Sequence, residues 1–214
     1  MQETHSTVNC ESVWRREWNG PTLFSNGTNN SSGCMVLVRA ELYFKVNTVK
    51  VDVNGRYILI KCNIQEEPII ITNVYAPNSE NEQVIFISEV DNVLTNLDIT
   101  SLDTIILGGD WNAIRDQEIG KCGGIIKIKA RTMSSIGQLM EKLKLNDTWR
   151  IKKPLIKRYS WRQSNPLIQC WHDYRQISDS FYDIVAETDI ILSMRSDHKL
   201  SPYILKELKK SERS

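Results

Sequence analysis

Two side chains capable of acid–base chemistry follow an apolar run near the middle of the 214-residue chain. Residues 104–107 are aliphatic or β-branched without polar alternation, which is typical of a strand buried on both faces. Two glycines come next, and then Asp110 and Asn112. A carboxylate can accept a proton from water, and a carboxamide can donate to a phosphoryl oxygen. The pattern predicts both groups at the carboxyl end of a rigid strand, although a purely structural Gly-Asp turn fits the same residues.

Further polar clusters stand where other strands are predicted to end. These clusters contain Glu3 in QETH, Tyr75 in TNVYAPN, Asp173 in HDY, and Ser196, Asp197 and His198 in RSDHKLSP. Any one of them is more typical of a structural role. Together they supply carboxylates, amides and a histidine in the order strand, helix, strand, helix, strand. That set suits metal-assisted attack of water on a phosphate ester.

The first third of the chain predicts an antiparallel meander that would position the early clusters. Apolar or alternating segments predict strands at residues 34–38, 42–53, 56–60 and 69–75. The dipeptide Asn54-Gly55 is the strongest hairpin signal in the sequence, because both positions of a tight type I′ turn need positive φ.

Two amphipathic helices are predicted beyond the meander. Ser79 and Glu82 form a capping-box pattern, and apolar residues then recur at helical spacing over residues 80–97. A Gly-rich basic loop leads into a second helix that carries Ile136, Leu139, Met140 and Leu143 on one face. Shorter strands are predicted at 159–162, 174–178 and 183–188. Paired strands with helices lying outside them predict an α/β fold, a two-sheet sandwich with flanking helices.

Composition indicates an intracellular globular protein. Hydrophobic residues make up 41% and charged residues 25%, which is ordinary for one soluble domain. The net charge of +1 means that attraction to nucleic acid would have to come from a local patch. Five cysteines without a CxxC pair argue against a disulfide framework or a zinc site and favour a reducing compartment. The sequence shows no signal peptide and no membrane-spanning stretch, so we expect the nucleus or cytoplasm and no membrane partner.

In order, the segments QETH, NVYAPN, GGDWN, YSW, DY and SDH resemble the endonuclease/exonuclease/phosphatase superfamily. The likeness is greatest to the endonuclease domain of LINE-type non-LTR retrotransposons, which are relatives of apurinic/apyrimidinic endonucleases. It covers nearly the whole chain. The resemblance implies a Mg²⁺-dependent phosphodiesterase, with Mn²⁺ as a possible substitute, that nicks DNA as a monomer.

The resemblance also implies roles for single residues. Glu3 and Asp197 match the metal site, and Asp110 matches the group that activates or orients the attacking water. Asn112 would hold the nucleophile and phosphate, and Tyr75 would contact the phosphate. His198 would donate to the scissile phosphate, with Asp173 as its partner carboxylate. Ser160 and Ser196 match positions that help to hold phosphate.

A basic segment predicts the contact with DNA. Residues 150–162 carry six lysines and arginines, no acidic residue, and interleaved aromatic rings. Such a segment can neutralise phosphates and stack on a base, although a solvated loop would have the same composition. We expect the DNA-binding residues to include Arg158, Trp161 and Arg162.

Three departures from the superfamily pattern predict weak or absent nicking. Family members carry a strand and an Asn-containing loop before the glutamate, whereas this chain starts almost at the glutamate. Residues 1–200 therefore read as an incomplete domain that lacks the first strand, followed by a tail over 201–214. Arg175 and Gln176 stand where relatives have apolar residues, and burying either one without partners is costly. Lys199 replaces a smaller or apolar residue after SDH.

Two alternatives to a nicking endonuclease stay open. A phosphatase of the same superfamily would use the same site on another phosphate ester. A catalytically dead retrotransposon remnant would at most bind nucleic acid. No reverse transcriptase domain is expected within these 214 residues.

Overall fold

The computed structural model describes residues 1–28, 30–125, 129–179, 185–188 and 203–205. A short 3₁₀ helix at Val8–Cys10 precedes the first α-helix. The helices are α1 Glu11–Glu17, α2 Glu80–Thr95, α3 Gln117–Gly120, α4 Ala130–Lys142 and α5 Thr148–Lys152. The strands are β1 Thr22–Ser25, β2 Cys34–Leu37, β3 Phe44–Val51, β4 Tyr57–Ile64, β5 Glu67–Tyr75, β6 Thr104–Asp110, β7 Lys121–Cys122, β8 Leu145–Asp147, β9 Trp161–Gln163, β10 Ile168–Cys170, β11 Asp173–Ser178, β12 Val185–Thr188 and β13 Tyr203–Leu205.

A six-stranded sheet in the order β3-β4-β5-β6-β11-β8 forms the centre of the described fold. The strands β3, β4 and β5 are antiparallel neighbours, so this part of the predicted meander is confirmed. The strand predicted at 34–38 forms β2 but pairs with β1 in a separate sheet. After β5 the chain crosses through α2 and returns as β6, which runs parallel to β5. The strand β11 then pairs antiparallel with the other side of β6. As a result, β6 lies inside the sheet with a partner on each edge.

The two faces of this sheet are covered by different layers. One face packs against α2 and α4 through a large apolar cluster that includes Leu59, Phe86, Leu107, Leu139 and Trp149. The other face packs against the β1–β2 hairpin through a second cluster that contains Cys34, Ile58, Ile60, Cys62, Ile69 and Tyr75. Because both faces are covered, β6 needs apolar residues without alternation, as its sequence predicts.

The arrangement confirms the predicted α/β fold with stacked sheets and flanking helices. The strands predicted over the meander, the helix over 80–97 and the helix around Ile136 all form. The strands β1, β7, β8, β10 and β13 are additions that the sequence pattern did not predict. Of the strand predicted over 183–188, residues 185–188 are described and form β12. None of the described helices is long and apolar enough to cross a membrane.

The predicted cost in β11 is visible at Gln176. Gln176 is only 1% exposed, and its side-chain Oε1 has no hydrogen-bond partner. The neighbouring Arg175 is half-buried, and its Cγ would lie 3.1 Å from a Cβ added at Gly108. A buried acceptor without a partner is destabilising, so Gln176 weakens the strand that begins with Asp173.

One glycine determines how closely β6 can approach β5. Gly109 has a φ of +137°, and a Cβ added there would lie 2.0 Å from the carbonyl oxygen of Val74. In contrast, Gly137 in the middle of α4 has nothing within 4 Å of an added Cβ.

We predict that Gly109→Ala lowers the free energy of unfolding by about 3 kcal/mol or more, because it combines a positive φ with a backbone clash. The matched control Gly137→Ala should raise it by about 0.5–1 kcal/mol through helix propensity. Urea denaturation of both variants measures the two effects. An unaltered midpoint for Gly109→Ala would show that β5 and β6 are farther apart than described.

Candidate active site

Three of the predicted site residues form one row across neighbouring strands. Tyr75 is the register partner of Asp110, and Asp110 is in turn the register partner of Asp173. Register partners present their side chains on the same face of a sheet. The three residues are only 9%, 2% and 9% exposed, respectively. The sheet thus gathers a phenol and two carboxylates from parts of the chain that lie far apart in sequence.

Glu3 joins this row although it lies 72 residues before Tyr75. The Tyr75 hydroxyl donates a hydrogen bond to Glu3 Oε1. The segment around Glu3 is held by backbone hydrogen bonds from Thr4 N to Gly33 O at 3.1 Å and from His5 N to Ser32 O at 3.0 Å. The N-terminal ammonium of Met1 also donates to the Met35 carbonyl at 2.8 Å, and the backbone N–H of Met35 donates to the Met1 carbonyl at 2.9 Å. This pairing places the glutamate at the same end of the sheet as Asp110.

The environment of Tyr75 keeps its phenol protonated. Burial raises the pKa of Tyr75 well above its usual range, and the hydrogen bond to Glu3 raises it further. The negative charges of Glu3 and Asp110 act in the same direction. Tyr75 is therefore a hydrogen-bond donor at neutral pH.

Asn112 links the two loops that follow β5 and β6. Its backbone N–H donates to Asp110 Oδ1 at 2.8 Å, and its side-chain Nδ2 donates to the carbonyl of Ala76 at 2.8 Å. The backbone N–H of Ala76 donates to the Asp110 carbonyl, also at 2.8 Å. Asn112 has a φ of +48°, a conformation that asparagine tolerates better than most residues. The loops after the two strands are consequently fixed relative to each other.

Gln83 fastens both loops to the helices and was not among the predicted site residues. Its side chain is fully buried, and Nε2 lies 2.7, 3.2 and 3.0 Å from the carbonyl oxygens of Pro77, Trp111 and Asn112. The hydroxyl of Thr132 in α4 donates to its Oε1 at 2.8 Å. A sequence signal for this role exists, because Gln83 is the polar member of the apolar face of α2.

The buried hydroxyl of Ser160 holds the start of β11. The residue is 0% exposed, and its Oγ accepts from the backbone N–H groups of His172 and Asp173 at 3.1 and 3.2 Å. The hydroxyl therefore orients Asp173 through the backbone, and its predicted contact with phosphate stays a prediction.

The basic segment contributes an aromatic pair beside Asp173. The ring of Trp161 stacks on His172, with centroids 6.0 Å apart and an angle of 21° between the planes. Both residues are partly exposed, whereas Arg158 and Arg162 are exposed on either side of Trp161. Arg150, in the same segment, lies over the ring of Trp171 at 4.1 Å. His172, which was not among the predicted site residues, thus becomes part of the candidate site.

The remaining predicted site residues, Ser196, Asp197 and His198, lie outside the described residues. Within the described part of the chain, no group of three or more His, Cys, Asp or Glu side chains could hold a metal ion by itself. Of the carboxylates in the site, Glu3 is the described residue that was predicted to bind the metal, and it accepts a hydrogen bond from the Tyr75 hydroxyl. Glu3 and the row of Tyr75, Asp110 and Asp173 present oxygen atoms as donors.

Three solved structures share this fold with the chain. An AP endonuclease from Archaeoglobus fulgidus has a TM-score of 0.73 at 16% identity, and the match covers 96% of this chain and 87% of the chain of that endonuclease. The AP endonuclease LMAP from Leishmania major has a TM-score of 0.72 at 15% identity, covering 96% and 77%. A 3'-5' exonuclease (NExo) from Neisseria meningitidis has a TM-score of 0.68 at 16% identity, covering 96% and 87%. At these identities the likeness establishes the fold.

A relative is also found by sequence. The transposon TX1 uncharacterized 149 kDa protein of Xenopus laevis is 27% identical over 154 residues, which are 72% of this chain. The chain spans only 11% of that protein's length. No family model matches the sequence. The fold and the transposon relative together support the resemblance to the endonuclease/exonuclease/phosphatase superfamily, and the assignment to the LINE type stays a prediction.

We predict that Ser160→Ala lowers the free energy of unfolding by about 1–3 kcal/mol, because two backbone N–H groups lose their acceptor in a buried place. The exposed Ser164 in the turn between β9 and β10 provides the control, and Ser164→Ala should stay within about 0.5 kcal/mol of the parent. Thermal or urea denaturation compares the two. Equal stabilities would show that Ser160 does not support the start of β11.

Proposed function

We propose that this chain is a divalent-metal-dependent phosphodiesterase of the retrotransposon endonuclease type that hydrolyses DNA phosphodiester bonds. The observation that carries the proposal is the row of Tyr75, Asp110 and Asp173 at one end of the sheet, with Glu3 hydrogen-bonded to Tyr75. The fold and the transposon relative support a nuclease-type phosphodiesterase. Metal dependence, nicking and DNA as the substrate are the parts that we infer.

The residues of the row divide the chemistry between them. Asp110, held by the N–H of Asn112, orients the attacking water and accepts its proton. Tyr75 stays protonated, and when substrate binds its single O–H turns from Glu3 to a non-bridging phosphate oxygen, where negative charge develops. Asp173 orients a neighbouring general acid, for which His198 is the proposed residue. Preorganised donors and acceptors of this kind act strongly because the residues are nearly buried.

The donor atoms present fit a magnesium or manganese ion. Hard divalent cations prefer carboxylate oxygens, and Mg²⁺ usually uses one or two carboxylates together with waters and substrate phosphate oxygens. Glu3 and Asp110 would supply these carboxylates, with Asp197 as a further proposed ligand. When bound, the ion would neutralise charge on the phosphate and its leaving oxygen.

Several features support DNA as the substrate. The stacked pair of Trp161 and His172 offers a partly exposed ring surface next to Asp173. The exposed Arg158 and Arg162 can neutralise backbone phosphates. A structure with this fold, that of the 3' phosphatase NExo from Neisseria, has a TM-score of 0.67 at 16% identity and is bound to a product DNA hairpin.

We further propose that nicking by this chain is weak. The unsatisfied Oε1 of Gln176 lies in the strand that begins with Asp173 and reduces the stability of that strand. Two alternatives keep the same fold. A phosphatase is favoured by the Neisseria structure described as a 3' phosphatase, and an inactive remnant would bind DNA without cleaving it.

We predict that Asp110→Asn lowers the rate of plasmid nicking in Mg²⁺ by about 100-fold or more, because the isosteric amide removes the proton acceptor and leaves the shape unchanged. Asp98 is exposed near the opposite end of the sheet, so Asp98→Asn should nick at the rate of the parent chain. Conversion of supercoiled plasmid to open circles over long incubations is the measurement.

Other results would point away from this proposal. Nicking that survives Asp110→Asn contradicts the role of Asp110. DNA binding without nicking by the parent chain indicates the inactive remnant. Release of inorganic phosphate from phosphomonoesters without preference for DNA indicates the phosphatase.

A further inference from the structure

The row of site residues is extended beyond Tyr75 by a cation, Arg56. The backbone N–H of Tyr75 donates to the carbonyl of Arg56 at 2.7 Å, so Arg56 stands beside Tyr75 at the start of β4. Its guanidinium carbon lies 5.2 Å from the centroid of the Tyr75 ring. Arg56, Tyr75, Asp110 and Asp173 therefore follow one another across four adjacent strands.

The guanidinium of Arg56 has no acidic partner among the described residues. The ion pairs found in that part of the chain involve other cations. The nearest carboxylate in sequence, Asp52, accepts from the backbone N–H groups of Asn54 and Arg56 at 3.0 and 2.9 Å. A guanidinium that lies over an aromatic ring keeps its in-plane N–H groups available for a planar anionic ligand.

Arg56 also lines a cleft that opens beside the row. The cleft has a volume of about 430 Å³ and lies between the turn at 52–56, the loop at 27–32 and helix α2. Arg56 is the single cation among the described residues that line it, and the carboxylates of Asp52, Glu82 and Glu89 line it as well. The attraction of an anionic ligand is therefore confined to the guanidinium of Arg56, and the carboxylates keep such a ligand away from the rest of the cleft.

We infer that Arg56 is a positioning residue that binds a backbone phosphate of the DNA strand next to the scissile phosphate. The inference rests on the proposed function. Adjacent strands are about 4.8 Å apart, so the backbone of Arg56 lies roughly 10 Å from that of Asp110. This separation is too large for Arg56 to share the phosphate at Asp110, and it suits the next phosphate along the strand. A guanidinium can hold that phosphate through two parallel hydrogen bonds.

The test is equilibrium binding of a fluorescein-labelled DNA duplex in EDTA over a series of NaCl concentrations, which requires no catalysis. We expect Arg56→Gln to weaken binding about tenfold, the worth of one charge-assisted hydrogen bond. The slope of log K against log salt should fall by about 0.9, since one phosphate contact is lost. Arg56→Lys should keep the slope and lose about threefold in affinity, because the charge remains and the two-bond geometry does not.

The control is Lys45→Gln. Lys45 is an exposed cation at the far end of the sheet, and its loss should alter neither affinity nor slope. Thermal denaturation of each variant shows whether the fold is intact. Where nicking is measurable, Arg56→Gln should raise KM with kcat changed less than twofold.

The outcomes separate the two proposals. If the parent chain binds DNA and Arg56→Gln leaves the salt slope unaltered, the role of Arg56 is wrong and the proposed function stands. A fall in kcat without a change in KM or slope would likewise overturn it, because Arg56 would then act only by supporting Tyr75. If the parent chain fails to bind DNA, the proposed function and this inference fail together.

Discussion

The candidate site depends on the backbone pairing of β6 with a parallel neighbour on one side and an antiparallel neighbour on the other. Because β5 and β6 run in the same direction, their last residues, Tyr75 and Asp110, meet at one end of the sheet. Because β11 runs the opposite way, its first residue, Asp173, meets them there. A shift of one residue in either register would turn the side chains of the shifted strand to the other face. The positions of the site's side chains are thus set by backbone hydrogen bonds between strands, in which no catalytic side chain takes part.

Buried polar side chains hold the loops that extend from these strands. Gln83 contacts three carbonyl oxygens of the loops after β5 and β6, Asn112 joins the same two loops, and Ser160 holds the start of β11. A polar side chain is costly to bury without hydrogen-bond partners. With partners, it holds the segments that it contacts in one arrangement. Gln176 shows the opposite case, since its buried Oε1 has no partner. Buried polar side chains that have hydrogen-bond partners therefore support the site, and one that lacks a partner weakens it.

Periodicity in the sequence predicted the elements that are long enough to show it. The apolar run of β6, the strands β2 to β5 and the apolar face of α2 all follow from local side-chain chemistry. The strands β7 and β8 have two and three residues, which is too short for a period to be visible, and their pairing is decided by tertiary contacts.

The site was harder to predict than the elements. The convergence of Glu3 with Tyr75 was implied by resemblance alone, because no local pattern relates residues 72 positions apart. Ser160 was predicted to contact phosphate, whereas its described contacts are with backbone N–H groups. His172 was missed, since its role arises only when distant loops come together. Gln83 was missed although its position on the apolar face of α2 was a signal.

The central claim is that Glu3, Tyr75 and Asp110 surround a position suited to a hard divalent cation. Crystals of the protein soaked in Mn²⁺ test it directly, through the anomalous scattering of manganese. The account predicts a peak within coordinating distance, about 2–2.5 Å, of a carboxylate oxygen of Glu3 or Asp110. A peak elsewhere on the protein, with none at this end of the sheet, would contradict it.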